Sequence, residues 1–294
     1  MTYILSVVAN PENPTIDSDL LDRIGDAVKG TPPRILAPNI AYDIGLAKPP
    51  AKEALSKAAA MAREVRVDIN LISAENRRKK LLIADMDSTI IEQECIDEIA
   101  DYAGKREEIS DITERAMRGE LDFDEALKAR VAMLKDLSEE VLIEAFKHKI
   151  SLTPGAKTLV QTMNAMDAMT ALVSGGFTFF TSRVAKETGF KYNQANELLS
   201  NDGKLTGEVK TPILGRAAKE KALKRLADEA NIKLADTIAV GDGANDLSML
   251  GAAGVGVAFR AKPAVAAAAH ARIDYADLTA LLYLQGIPQT EFQH

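Results

Sequence analysis

Tryptophan is absent from this chain of 294 residues, and cysteine occurs once, at Cys95. A single thiol allows no intrachain disulfide, the cysteine usage expected of a reducing cytoplasm. Histidine is almost as scarce: His148 lies in a charged stretch, His270 in an alanine-rich run and His294 at the end. None adjoins a glycine-rich turn or a carboxylate cluster, which argues against Ser-His-Asp catalysis and histidine-rich zinc sites. Six places after Cys95 stands Asp101, where a C-x5-R phosphatase loop needs arginine. Neither G-x4-G-K-[ST] nor G-x-G-x-x-G occurs, so a P-loop and a dinucleotide fingerprint are excluded. No window of about 18 uninterrupted apolar residues exists, so no membrane span is expected. The start, MTYILSVVANPENP, lacks the basic opening and cleavage site of a signal peptide, and a cytoplasmic location is expected. Catalysis must then rest on carboxylates, hydroxyls, lysines and a metal.

What is present is ordinary for a globular chain: 47% hydrophobic and 27% charged residues. The net charge of −7 is unevenly spread. Residues 1–79 carry 10 acidic against 11 basic side chains, leaving 33 against 25 for residues 80–294. An acidic C-terminal part argues against a large nucleic-acid face. Within residues 1–74, YILSVVA at 3–9, a helical 17–28, short extended stretches near 34–37 and 40–46, a helical 52–65 and the alternating 66–72 spell β-α-β-β-α-β. That order predicts a small ferredoxin-like α+β domain. The run ENRRKK at 75–80 reads as an exposed, charged linker.

From Lys80 onward strands alternate with helices. LLIAD (81–85), ALVSGG (171–176) and TIAVGDG (237–243) are apolar runs ending in small or acidic residues, each before a predicted helix start. This predicts an α/β fold with a parallel sheet whose ligands bind at the carboxyl ends of the strands. About 80 residues separate the first two motifs, far more than a simple crossover requires. The surplus, about 96–150, is helical and charged, and reads as an inserted cap within a domain spanning 80–294. Residues 195–209 read as a hairpin turning at Asn201-Asp202-Gly203.

Three strand ends carry candidate chemistry. Asp85 and Asp87 at i and i+2 point the same way in extended chain, which is costly without a cation. Mg²⁺ would relieve the repulsion and leave one carboxylate to attack an electrophile; the alternative is a turn in which Asp87 caps a helix. Ser174-Gly175-Gly176 offers a hydroxyl and backbone N–H groups at a helix start, suited to a phosphate or to a simple loop. Gly241-Asp242-Gly243-Ala244-Asn245-Asp246 supplies two more carboxylates, or a common D-G turn. Lys219 would add positive charge, or else lie in solvent as most lysines do.

The order of these motifs resembles the haloacid dehalogenase-like superfamily over essentially all of residues 80–294. Within it, DMDSTIIEQECIDEIA, FDEALKARV, VSGGF and VGDGAND resemble the phosphoserine phosphatases. The resemblance implies a Rossmann-like sheet with a helical cap, preceded by an ACT-like domain that would regulate or form a homodimer. It also implies Mg²⁺-dependent hydrolysis of O-phospho-L-serine, the last step of serine biosynthesis. Asp85 would be the nucleophile and Asp87 the general acid, then base. Asp85, Asp87 (through its carbonyl) and Asp242 would hold the metal, with Asp246 in support. Ser174, Gly175, Lys219 and Asn245 would hold the phosphate, Glu94 would face the substrate ammonium and Arg130 its carboxylate. Met117 and Phe123 match apolar cap positions over the substrate. A zwitterion with a cation and an anion on one carbon needs one acidic and one basic reader, and arginine grips a carboxylate bidentately. A phosphotransferase using another hydroxyl acceptor, or a phosphatase for a related small molecule, shares every step up to the aspartyl-phosphate.

Overall fold

The computed structural model describes residues 2–118 and 120–293, the side chain of Met117 excepted. Its N-terminal part runs β1 (Tyr3–Val8), α1 (Ser18–Val28), β2 (Arg34–Ala37), β3 (Ala41–Leu46), α2 (Lys52–Glu64) and β4 (Asp68–Ser73). The strands form an antiparallel sheet in the order β2-β3-β1-β4. Asp17 starts α1 by accepting the Leu20 N–H at 2.8 Å, the cap its side chain suits. Successive residues of β1 face opposite ways. Leu5 and Val7 pack with Leu20, Ile24 and Ala58 of the two helices, whereas Ile4 and Val8 join the main core of the following α/β part. A strand buried on both faces explains why YILSVV is so continuously apolar.

The two parts are joined by specific polar contacts. Asn70 Nδ2 donates to the Arg272 carbonyl at 2.9 Å, and its Oδ1 accepts the Arg272 N–H at 2.7 Å. Asp68 accepts the N–H groups of Asp274, Tyr275 and Ala276. The run at 75–80 departs from the exposed linker read in the sequence. Arg77 pairs with the Asp43 carboxylate at 2.5 and 2.6 Å and donates to the carbonyls of Tyr283 and Leu284. Lys79 is buried and donates to the Ala235 carbonyl. Acceptors supplied by distant segments draw these two cations inward, while Arg78 and Lys80 stay exposed.

The chain continues with β5 (Leu81–Ala84), α3 (Cys95–Tyr102), α4 (Arg106–Met117), α5 (Phe123–Ala132), α6 (Glu140–Lys149), α7 (Ala156–Ala165), β6 (Met169–Phe177), α8 (Thr178–Thr188) and β7 (Tyr192–Asn196). Then come β8 (Leu198–Asn201), β9 (Lys204–Val209), α9 (Arg216–Glu229), β10 (Thr237–Gly241), α10 (Leu247–Ala252), β11 (Val255–Phe259), α11 (Pro263–Ala268), β12 (Ala271–Ile273) and α12 (Ala280–Leu284). Among the described residues, six strands form a parallel sheet in the order β12-β11-β10-β5-β6-β7. Leu82, Ala84 and Val240 pack on one face, Leu81, Ile83 and Ala239 on the other. β5 and β10 are central neighbours, so the ends of LLIA and TIAVG lie side by side.

The helices α3 to α6 stand over that end of the sheet. The hairpin of β8 and β9 turns at Asp202-Gly203, within the expected Asn201-Asp202-Gly203. It grips the segment between α5 and α6 through Asp136 N–H to the Leu205 carbonyl, Leu205 N–H to Leu137 and Glu139 N–H to Gly203. One expectation is corrected. Ser174, Gly175 and Gly176 belong to β6, and α8 starts only at Thr178. The register between β6 and β7 breaks between Val173 and Phe177, which lets the strand run on past its regular pairing.

Candidate active site

Asp85 stands where β5 ends. Its N–H still donates to the Val240 carbonyl at 3.0 Å, while its Oδ1 accepts the Met86 N–H at 2.7 Å. Asp87 is in extended backbone, and Ser88 then takes φ 52°, the left-handed conformation that turns the chain. Both oxygens of Asp87 are held: Oδ1 accepts the Cys95 N–H at 2.8 Å and Oδ2 the Ser174 hydroxyl at 3.0 Å. Ser174 Oγ in turn accepts the Gly176 N–H at 2.8 Å. A Cβ on Gly176 would sit 2.6 Å from Asp87 Oδ2, so only glycine allows this approach.

From α9, Lys219 reaches Asp85 Oδ2 at 2.7 Å and Asp246 Oδ1 at 2.6 Å. The sequence left that lysine open to solvent; it is 2% exposed. The other oxygen of Asp246 accepts the N–H groups of Asp242 and Gly243. Gly241 is required here because a Cβ would lie 2.4 Å from the Asp246 carboxyl carbon. Asp242 accepts the Thr89 hydroxyl at 3.3 Å, leaving an oxygen free. Carboxylate oxygens of Asp85, Asp242 and Asp246 all lie within 4.8 Å of one another, and all three residues are buried.

That crowding sets the electrostatics. Burial first, then the charge of Asp246, pushes the Asp85 carboxyl well above its usual range despite Lys219. The same two causes raise Asp242 to about 7. For Lys219, burial works against the charge, but Asp246 and Asp85 outweigh it and hold the ammonium above its ordinary value. Three carboxylates against one lysine leave a demand for positive charge, and hard oxygen donors suit a divalent cation such as Mg²⁺. Asp242 keeps one oxygen free for it, and each Asp85 oxygen holds a single partner, Met86 N–H or Lys219, which leaves it a further lone pair. Asp246 has both oxygens engaged, and the Asp87 side chain lies outside the cluster.

The cap supplies the opposite wall. Glu94 precedes α3, and its Oε1 accepts the Ser88 hydroxyl at 2.5 Å. Burial, then the charges of Asp87 and Asp242, push its carboxyl well up. Arg130, 6% exposed on α5, has no carboxylate within ion-pair distance among the described residues. Phe123 lies against Gly175, where a Cβ would meet its ring at 2.6 Å. Asp85, Asp87, Glu94, Arg130, Ser174, Gly175 and Asn245 line one cavity, with Ile96, Phe123 and Leu127 as its apolar side. Lys219, Asp242 and Asp246 lie behind Asp85 rather than on the cavity wall. Asn245 Oδ1 is buried with no hydrogen-bond partner among the described residues. Cys95 is a buried thiol whose pKa burial drives up, as suits a core filler. The Met117 side chain and His294 lie outside the described residues. The sequence reading missed Ser88 and Thr89 as partners of Glu94 and Asp242, although both stand inside the DMDST motif.

Residues 82–251 match the haloacid dehalogenase-like hydrolase family. The chain belongs to that family. Its curated relatives include the phosphoserine phosphatase of Streptomyces coelicolor, 43% identical over 251 residues, 85% of this chain and 60% of that one. A structure of a phospho-aspartyl intermediate analogue of phosphoserine phosphatase aligns at 42% identity, with a TM-score of 0.67, covering 70% of this chain and 98% of that one. An unliganded probable phosphoserine phosphatase from Vibrio cholerae aligns over 99% of this chain and 88% of its own, at 31% identity and a TM-score of 0.79. Against the first curated relatives, the chain spans 59% to 62% of their length. It carries two acidic strand ends side by side, on β5 and β10. Among the described residues, no helix is long and apolar enough to cross a membrane.

Proposed function

We propose that this chain hydrolyses O-phospho-L-serine to L-serine and phosphate through an aspartyl-phosphate on Asp85, in the cytoplasm, as the last step of serine biosynthesis. The observation that carries this reading is one cavity lined by Asp85, Asp87, Glu94 and Arg130. It sets a nucleophile and a proton donor beside an acidic and a basic reader of opposite sign.

In the first step an Asp85 oxygen bonds to phosphorus and the bond to the seryl oxygen breaks, Asp87 giving that oxygen its proton. The hydroxyl of Ser174 and the Asn245 amide lie at the cavity wall to receive the phosphoryl oxygens. Ser174 now donates to Asp87 Oδ2, so it must turn toward the substrate when the proton arrives on Asp87. Lys219, behind Asp85, works against the burial and neighbouring carboxylates that raise the Asp85 pKa, and so favours the ionised form that attacks. In the second step Asp87 takes a proton from water, which attacks phosphorus and releases Asp85. Mg²⁺ held by the Asp85 and Asp242 carboxylates and the Asp87 carbonyl would neutralise charge on the transferring phosphoryl group. Glu94 faces the ammonium and Arg130 the carboxylate. Phe123 and Leu127 exclude water during the first transfer.

Phosphate release from L-phosphoserine and from p-nitrophenyl phosphate, each with Mg²⁺ and with EDTA, tests the reading. Strong Mg²⁺-dependent preference for phosphoserine is expected. Comparable rates on both would keep the aspartate chemistry and move the substrate elsewhere. Phosphate passed to an added alcohol would make the protein a phosphotransferase, and activity indifferent to EDTA would overturn the mechanism.

A further inference from the structure

Arg130 is held in an unusual way for a buried arginine. Its Nε donates to the Ala126 carbonyl at 3.1 Å, one turn back on α5. Its Nη1 donates to the hydroxyl of Thr113, on α4, at 3.0 Å. That hydroxyl lies 3.0 Å from Asp97 Oδ1 on α3 and 2.9 Å from the Ile109 carbonyl. Asp97 Oδ2 accepts the Ser110 hydroxyl at 2.8 Å, which fixes the plane of the carboxylate. Thr113 is 2% exposed and lines the cavity together with Arg130.

A threonine hydroxyl has one proton to give and two lone pairs. With the Arg130 N–H on one lone pair, its proton goes to the stronger acceptor, the Asp97 carboxylate, and not to a peptide carbonyl. The result is a three-helix chain, Arg130 to Thr113 to Asp97. It ties the guanidinium to a negative charge without a direct ion pair. The distinction matters chemically. A carboxylate paired directly with Arg130 would occupy the fork that a substrate carboxylate needs, and would compete with it. Through the hydroxyl, only one Nη1 hydrogen is used. Three of the five N–H groups of Arg130 have no protein partner among the described residues.

We propose that Thr113 and Asp97 are positioning residues that aim Arg130 into the cavity and hold its remaining N–H groups free for a carboxylate on the substrate. The proposal rests on the reading of Arg130 as the carboxylate reader, and deepens it. Neither residue touches the reacting atoms. Their effect is therefore on the grip on the amino-acid end of the substrate, in KM more than in kcat.

The test uses the full-length protein with Thr113→Val, which keeps the shape and removes the hydroxyl, Thr113→Ser and Asp97→Asn. For phosphoserine, Thr113→Val is expected to raise KM about tenfold, the usual size of one lost hydrogen bond to a charged group. For p-nitrophenyl phosphate, which has no carboxylate, the rise is expected to be several times smaller. Thr113→Ser restores KM, and Asp97→Asn gives a smaller rise than Thr113→Val. In parallel, the Nε–H and Nη–H signals of Arg130 are followed in ¹⁵N-arginine-labelled protein, assigned by their loss in Arg130→Lys. They are expected to be slow to exchange in the parent and in Thr113→Ser, and fast in Thr113→Val. Equal KM changes on both substrates, or Arg130 signals that Thr113→Val leaves unmoved, overturn the proposal. A parent protein that ignores phosphoserine overturns the substrate reading instead, and the Arg130 exchange rates then decide the positioning role alone.

Discussion

Lys219 Nζ lies 2.7 Å from Asp85 Oδ2, and both side chains are almost sealed from water, 3% and 6% exposed. Buried ion pairs gain little overall, but removing one partner strands a charge. Here the stranded set would be Asp85, Asp242 and Asp246 together.

Lys219→Met is therefore expected to abolish turnover and to destabilise the metal-free protein by about 3 kcal/mol at neutral pH. The loss depends on pH in a definite sense. Without the lysine, the folded protein binds protons on these carboxylates that the unfolded chain has already released. Stability then falls as pH rises. Melting temperatures of parent and variant, measured from pH 5 to pH 8 in EDTA, should diverge toward the alkaline end. Parallel curves would mean that the lysine does not neutralise the cluster.

Asp242 leads to a second prediction. Burial, then Asp246, holds its carboxyl up to about 7 in the metal-free protein. Its folded pKa lies above the unfolded value, so between about pH 4 and pH 7 the folded, metal-free protein carries a proton that a cation must displace. Apparent Mg²⁺ affinity should fall as pH drops below about 7. Calorimetric titrations at pH 6 in two buffers of different ionisation enthalpy should reveal proton release, smaller at pH 8 than at pH 6. Buffer-independent heats at pH 6 would contradict the assignment of Asp242 as a ligand.

The same crowding makes Asp85→Asn informative beyond activity. Turnover should drop by at least about a thousandfold, as expected when a nucleophile is removed. The metal-free fold should survive and melt no lower than the parent, because one of three mutually repelling carboxylates is gone. Appreciable phosphatase activity in a clean preparation would remove Asp85 as the nucleophile.

How far the sequence discloses this site depends on the physics of each residue. The sheet was readable because LLIA, ALV and TIAV are uninterrupted apolar runs, buried on both faces, that stop at Asp85, Ser174 and Asp242. The order of the motifs then led to Lys219 and Arg130, although neither stands out locally from any other helical cation. Three things could not be read. Arg77 looked solvated because Asp43, Tyr283 and Leu284, which hold it, are far away in sequence. Ser174 looked like a helix start because nothing local shows that β6 runs on to Phe177. Thr113 carries no local signal of a role, since its partners come from the packing of α4 on α3 and α5.

Gly175 supplies the last prediction. A Cβ there would lie 2.6 Å from Phe123 Cζ, 3.0 Å from Cε2 and 3.8 Å from Cε1, its three nearest atoms. The clash is thus confined to one cap side chain, and it opposes closure rather than folding. Gly175→Ala should lower kcat/KM about tenfold by holding the cap partly open, with a near-parental melting temperature. Phe123→Ala removes the obstructing ring but also part of the apolar wall, and should cost activity by itself. Because the clash of a Cβ at Gly175 falls on the Phe123 ring, their effects should not add. In the Phe123→Ala background, Gly175→Ala should cost less than about twofold. A full tenfold loss in that background would mean that the glycine serves the phosphate-binding backbone directly, and that the contact with Phe123 is incidental.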